Sequence, residues 1–292
     1  MSCSGDCANC PMREACGTGG VPDAMREALK DVKDSMESVQ YKILVLSGKG
    51  GVGKSTVAYL VSKFLSTQFC VGVIDADLCG PSLPILFNTT NETLCQTAYG
   101  IQPCAIDGSN IELISTQFFL SNRDDAIIAR GPMKNSFILQ FLRDVNWGDA
   151  QLIVVDTPPG TSDEHLSVVS FMSEAGIDGA IIVTTPEEVA IADVRREIQF
   201  CKKSGVKIIG VIENMSSFTC PKCNKESSIY PNTTGGAEKL CQDENLVLLG
   251  KIPIDPSMIA GLVGEKYQIS KPVADSMSVI CQKLIEGLPK KQ

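Results

Sequence analysis

Gly48-Lys49-Gly50-Gly51-Val52-Gly53-Lys54-Ser55 is a phosphate loop with one lysine more than its pattern requires. The ordinary motif asks for Gly-Lys-Ser/Thr after four free positions. Here the second position is also lysine, and two further glycines follow it. The glycines allow backbone N–H groups to turn inward and cradle phosphate oxygens. Lys54 is placed to reach the β- and γ-phosphates of its own nucleotide. Lys49, at the loop entrance, is placed to reach a nucleotide held by a neighbouring subunit. The pair predicts an NTPase that works as a dimer, with Gly48 to Ser55 and the following Thr56 forming the nucleotide cradle.

The flanking residues supply the context that a chance match lacks. Tyr41 to Ser47 is a short apolar run suited to a buried parallel strand. Ser55 to Leu65 carries Val57, Leu60, Val61 and Phe64 at helical spacing. Strand, glycine turn and helix N-terminus together form the arrangement that binds an anion. Working outward, apolar strands at Val71–Asp75, Ile111–Ser115, Leu152–Asp156, Ala180–Thr184, Lys207–Ile212 and Leu246–Gly250 alternate with helices. The helices are read at Lys134–Arg143, Glu164–Ser173, Glu188–Lys203, Ala237–Gln242 and Asp275–Glu286. The alternation predicts an α/β fold with one doubly wound, mostly parallel sheet. Residues 88–110 are polar and irregular, and read as an excursion or hairpin. The chain divides into a cysteine-rich segment (1–22), a charged helical lead-in (23–40) and the nucleotide-binding domain (41–292).

The chain has 292 residues, 43% of them hydrophobic, enough to bury a full core. A net charge of −8 argues against non-specific binding to nucleic acid, which needs basic surface. No signal-like opening and no apolar run of membrane-spanning length is found, so a cytoplasmic protein without a membrane anchor is expected. The odd count of 13 cysteines argues against a disulfide framework and for thiols that pack, bind metal or react.

Ligands of parallel α/β sheets bind at the carboxyl ends of the strands. Two acidic ends stand out. Asp75-Ala76-Asp77 offers carboxylates to orient water, with Asp77 the catalytic candidate. Asp156-Thr157-Pro158-Pro159-Gly160 offers a magnesium-binding aspartate and a glycine N–H for the γ-phosphate. Ser55 adds a hydroxyl to Mg²⁺, which prefers oxygen ligands. A single strand-end aspartate reads most simply as a helix cap or turn former. Successive ones after a phosphate loop read as phosphate chemistry. Asn214 and Asp255, at two further strand ends, are candidates to face the base, with loop-stabilising roles nearly as well supported.

Cys220-Pro221-Lys222-Cys223 places two thiols on one side of a turn. A closed metal site needs four ligands. A two-fold axis supplies them by bringing two chains together, which suits Zn²⁺ or a [4Fe–4S] cluster. Cys3, Cys7, Cys10 and Cys16 put four thiols within fourteen residues, and metal binding would order a segment that has no core. Zinc or a cluster would satisfy either set. Cys70, Cys79, Cys95, Cys104, Cys201, Cys241 and Cys281 lack ligand spacing. His165, the single histidine, cannot build a histidine metal site and is read as a helix-start or switch-region residue, not a catalytic base.

The loop from Gly48 to Ser55 resembles the deviant Walker A motif of MinD-type ATPases. Asp75-Ala76-Asp77-Leu78-Cys79-Gly80-Pro81-Ser82, Arg130-Gly131-Pro132-Met133, the run from Asp156 to Glu164 and Cys220-Pro221-x-Cys223 narrow the resemblance to the Mrp/NUBP branch. With the N-terminal cysteines, the chain is similar to the eukaryotic cytosolic iron–sulfur assembly scaffolds. The resemblance implies slow ATP hydrolysis, with Lys49, Lys54, Asp77 and Asp156 in catalytic roles and Mg²⁺ on Ser55 and Asp156. It implies a labile bridging [4Fe–4S] cluster on Cys220 and Cys223 and a tighter one on Cys3, Cys7, Cys10 and Cys16 of each chain. It further implies a homodimer, or a heterotetramer with a shorter paralogue lacking the N-terminal cysteines, and downstream apoprotein-targeting factors. One spacing departs from the family: its first interval is long, whereas three residues separate Cys3 from Cys7 here. The alternative function is a zinc-stabilised MinD/ParA-like regulatory ATPase.

Overall fold

The computed structural model describes residues 23–78, 80–119, 131–160, 162–220, 222–223, 225–230, 235–256 and 269–291. Cys3, Cys7, Cys10, Cys16, Cys79 and Arg130 lie outside them. In chain order the elements are α1 (Asp23–Ser35), β1 (Tyr41–Leu46), α2 (Lys54–Leu65), β2 (Val71–Asp75), α3 (Leu83–Leu86), β3 (Cys95–Thr97), β4 (Gly100–Gln102), β5 (Cys104–Ala105) and β6 (Ile111–Ser115). There follow α4 (Gly131–Arg143), β7 (Leu152–Asp156), α5 (Asp163–Ala175), β8 (Gly179–Thr184), α6 (Glu188–Ser204), β9 (Ile208–Thr219), β10 (Glu226–Ser227), α7 (Gly236–Glu244), β11 (Leu248–Ile254) and α8 (Lys271–Gly287).

The nine-stranded sheet runs β10-β9-β8-β1-β7-β2-β6-β5, with β11 also pairing with β9. The pairs among β1, β2, β6, β7, β8, β9 and β11 are parallel, as the doubly wound reading predicts. The central strands are apolar throughout because both faces are covered. On β1, Leu44 and Leu46 pack into one core with Phe141 of α4, Val168 and Met172 of α5 and Ile198 of α6. Ile43 and Val45 point the other way, against Val57 and Leu60 of α2 and Met277 and Ile280 of α8. This alternation over two covered faces puts β1 in the middle of the sheet, with the phosphate loop emerging at its carboxyl end. Among the described residues, no helix is long and apolar enough to cross a membrane.

The predicted central strands fall where their apolar runs lie, and two edge elements are longer than their apolar patterns. β9 continues past Ile212 to Thr219, and β11 reaches Ile254 where 246–250 was predicted. The extension is polar and is held by partners that are remote in sequence. β11 pairs along it as far as Ile254 opposite Phe218, and β10 adds an antiparallel pair at Phe218 and Thr219. Residues 88–110 contain the β3–β4 hairpin and β5, which joins the main sheet antiparallel to β6.

Phe141 is fully buried in the first core. Phe141→Ala should lower the unfolding free energy by about 3–5 kcal/mol, read as a shift in the urea midpoint with the slope unchanged.

Candidate functional site

The turn after β1 folds as its glycines require. Gly51 and Gly53 have φ of 81° and 80°, the left-handed region that other residues enter only with strain. Gly48 and Gly53 are needed for a second reason, close approach. A Cβ on Gly48 would lie 2.5 Å from the carbonyl of Asp193 in α6. A Cβ on Gly53 would collide with the Asn214 amide of β9. The loop is thus clasped between α6 and β9, and then enters α2 with its N–H groups free for an anion.

A cavity of about 390 Å³ opens over the loop. Lys49, Gly50, Gly51, Gly53, Lys54, Ser55, Thr56 and Asp77 line it, whereas Gly48 and Val52 of the predicted cradle do not. Ser82, Ile85 and Leu86 also line it. They were missed because a single-turn helix following an irregular loop leaves no periodic signal. Beneath the cavity, Lys54 Nζ meets Asp156 Oδ1 at 2.5 Å, both groups being buried. Asp75 stands opposite Asp156 in the β2–β7 register. Its Oδ2 accepts from the Leu83 N–H at 3.3 Å and the Ser115 hydroxyl at 3.2 Å. Asp75 Oδ1 and Asp156 Oδ2 have no hydrogen-bond partner among the described residues. Burial, then the Asp156 carboxylate, raises the Asp75 carboxyl well above the usual range. Burial also raises Asp77, with Lys54 opposing the shift.

The orphaned Asp156 oxygen and the Ser55 hydroxyl on the cavity wall are oxygen donors, the kind Mg²⁺ takes with waters completing its shell. Asp156 and Ser55 would hold the ion, which would supply charge to the phosphates. Other predicted groups are already engaged. The Gly160 N–H donates to the Ser47 carbonyl at 2.8 Å instead of standing free for a phosphate. Lys49 Nζ lies 3.1 Å from Glu187 Oε2, in a half-exposed ion pair. The Asn214 amide donates to the Val52 carbonyl at 2.9 Å, and Asp255 Oδ2 accepts from the Ser270 N–H at 3.1 Å. Both therefore tie loops together at the site. His165 is fully buried at the start of α5 and lines no part of the cavity.

The Cys220–Cys223 turn sits at the far end of β9, closed by the Cys220 N–H on the Lys225 carbonyl at 3.0 Å. The Cys220 sulfur is held below the ordinary thiol range by the backbone N–H groups of Lys222 and Cys223. Cys220 is half-buried and Cys223 exposed. Two outward thiols, one of them biased toward thiolate, suit a soft metal that has further ligands from elsewhere. No cluster of three or more metal-ligating side chains occurs among the described residues. Cys201 and Cys281, by contrast, are buried in the cores, and burial pushes each thiol up to about 12.

The family model described as NUBPL iron-transfer P-loop NTPase, of the ParA group, matches residues 38–287. A nucleotide-binding protein from Archaeoglobus fulgidus, solved in complex with ADP and with cobalt found by PIXE, is 30% identical. It aligns over 84% of this chain and 98% of its own, with a TM-score of 0.70. The cell division ATPase MinD of Pyrococcus furiosus is 22% identical over 85% of this chain and 99% of its own, with a TM-score of 0.57. MinD in the MinC:MinD complex of Aquifex aeolicus is 21% identical over 86% and 98%, with a TM-score of 0.56. The last two likenesses are of fold.

Two outcomes test this geometry. Gly48→Ala must displace backbone, so nucleotide affinity should fall by about tenfold or more, equivalent to about 1.4 kcal/mol, in a fluorescent-nucleotide titration. Asp75 in the folded chain keeps its proton at pH values where the unfolded chain has lost it, so stability falls as pH rises through that range. Asp75→Asn should therefore raise the Tm of nucleotide-free protein above the ordinary carboxylate range of pH and flatten its pH dependence.

Proposed function

The chain belongs to the NUBPL iron-transfer P-loop NTPase family, and from that premise we propose that it is an ATP-dependent scaffold that assembles [4Fe–4S] clusters and passes them to cytosolic and nuclear apoproteins. One observation carries the reading: β9 bears both chemistries. Asn214 near its middle holds the phosphate loop through Val52, and Cys220 follows its last residue, Thr219. Five residues separate them, at most roughly 20 Å of strand.

The cluster is cargo. Two thiols per chain leave a four-iron cluster short of ligands, and a second copy of Cys220 and Cys223 across a two-fold axis completes them. The second chain is another copy or a shorter paralogue without the N-terminal cysteines. Cys3, Cys7, Cys10 and Cys16 hold a second cluster within each chain. In the nucleotide reaction Lys54 neutralises the phosphates of its own subunit, and Asp77 orients the attacking water. Lys49 leaves Glu187 and reaches toward the partner's nucleotide. An exposed pair of this kind is worth about 0–1 kcal/mol, so the phosphate charge outcompetes it. Asn214 and Asp255 shape the loops around the base. The setting proposed is the cytoplasm.

The alternative, a zinc-stabilised regulatory ATPase, makes the opposite prediction for metal content. Anaerobically purified protein should carry iron with acid-labile sulfide, and Cys220→Ser with Cys223→Ser should remove one cluster equivalent per dimer. Stoichiometric zinc without labile sulfide in protein from native expression would overturn the scaffold reading. Lys54→Ala should reduce ATP hydrolysis by about 100-fold or more, the scale of a lost transition-state charge contact, and should block nucleotide-dependent loading of the bridging cluster.

A further inference from the structure

His165, the single histidine of the chain, is fully buried where its ring bridges two elements. Its backbone N–H is capped by Ser162 Oγ at 3.3 Å, at the start of α5. Nδ1 lies 3.2 Å from the carbonyl oxygen of Pro158, two residues after Asp156. Nε2 lies 3.0 Å from Glu197 Oε1 in α6, and Glu197 is fully buried as well. Phe200 packs edge-on against the ring at 4.9 Å.

The Pro158 carbonyl can only accept, so Nδ1 must carry a hydrogen. Nε2 then faces the Glu197 carboxyl with one proton between them. The pair is an imidazolium against a carboxylate, or a neutral ring against a carboxylic acid. Either form is neutral overall, as a fully buried pair must be. Nε2 and the two Glu197 oxygens have no other hydrogen-bond partner among the described residues.

Val168, Val194 and Ile198 of the same two helices belong to the apolar core, so the polar pair is not needed for packing alone. What the pair adds is a hold on the Pro158 carbonyl. On its other side the same segment is tied toward β1, by the Thr157 hydroxyl on the Val45 carbonyl at 2.8 Å and by the Gly160 N–H on the Ser47 carbonyl. Glu197 belongs to the helix whose Asp193 backbone abuts Gly48, and Glu187, which precedes that helix, holds Lys49. α6 therefore fixes the Asp156 segment and the phosphate loop relative to one wall.

We propose that His165 and Glu197 are positioning residues for nucleotide hydrolysis: Glu197 fixes the imidazole, and the imidazole sets where residues 156–160 stand over the phosphate loop. Neither touches substrate. The inference rests on the ATPase reading of the site. Asp156 in this segment pairs with the phosphate-loop Lys54, so exchange of triphosphate for diphosphate should shift the segment, and the ring attached to it should register that shift.

A single histidine makes the test direct. In ¹⁵N-labelled full-length protein its two ring nitrogens give one pair of signals, to be recorded without nucleotide, with Mg·ADP and with Mg and a non-hydrolysable ATP analogue. Nδ1 should be protonated throughout, and the ring signals should differ between the diphosphate and triphosphate forms. Phosphate-loop glycine amides report binding independently. If these do not respond to nucleotide, the ATPase reading fails. If they respond while the imidazole signals stay fixed, the positioning proposal is overturned. Kinetics give a second readout. His165→Asn keeps a donor near Nδ1, and Glu197→Gln removes the carboxyl it would strand. That double variant should retain more kcat than His165→Ala with Glu197→Gln. The alanine version should lose about tenfold or more in kcat with KM for ATP within about twofold. Equal kcat in both double variants would overturn the proposal.

Discussion

The contact between Lys54 and Asp156 is the constraint around which the site is organised. Parallel pairing of β2 with β7 sets Asp75 directly beside Asp156, and Asp77 comes two residues later. At the strand spacing of about 4.8 Å, two full negative charges repel by about 3–4 kcal/mol at an effective dielectric of about 20. One buried ammonium cannot neutralise three carboxylates. Burial and the Asp156 carboxylate push Asp75 toward its protonated form, which lessens the deficit, and Lys54 commits to Asp156. A triphosphate with its magnesium ion changes both terms together. The phosphates attract the lysine, and the ion supplies the positive charge that the carboxylates lack. The site is therefore built so that anion and cation are favoured jointly.

This arrangement was legible to the extent that it is local. A glycine turn between an apolar run and an amphipathic helix reads directly from residues 41–65. The aspartates at the ends of β2 and β7 read from their apolar strands. What escaped the sequence depends on pairing across long separations. β9 looks finished at Ile212 because Glu213, Asn214, Ser216 and Ser217 are polar. They remain in strand because β10 and β11 supply hydrogen bonds from elsewhere in the chain. His165 reads correctly as a helix-start residue, yet its partner Glu197 lies on another helix with no local pattern to point to it. The pairing of Lys49 with Glu187 spans 138 positions and has the same character.

The polar extension of β9 puts the contact with the phosphate loop and the Cys220 turn on one strand. Its first half is buried and bound on both sides by β8 and β11. Beyond Glu213 the partnership with β8 ends. Met215 there adopts a positive φ of 56°, unusual for a side chain of its size. The pairing with β11 also slips near this point, between Ile252 and Ile254. Irregularities of this kind bend a strand and re-aim the residues beyond the bend. The Cys220 turn thus projects from the sheet on an arm with an exposed end.

The direction of any coupling depends on where that arm is rooted. Asn214 sits one residue before Met215, and its amide grips Val52 while filling the space beside Gly53. No side chain intervenes, so a shift of the phosphate loop is felt at the base of the arm by direct contact. Because packed interiors respond by switching between discrete arrangements and not by gradual deformation, a displacement at the root would reach the thiols along the strand, as the proposed function needs. At the tip Cys223 is exposed and Cys220 half-buried. Were the cysteines placed on one of the central strands, packing on both faces would damp the same displacement. Their location past the irregularity, on the strand that also touches the nucleotide loop, supports the coupling that the proposed scaffold function requires.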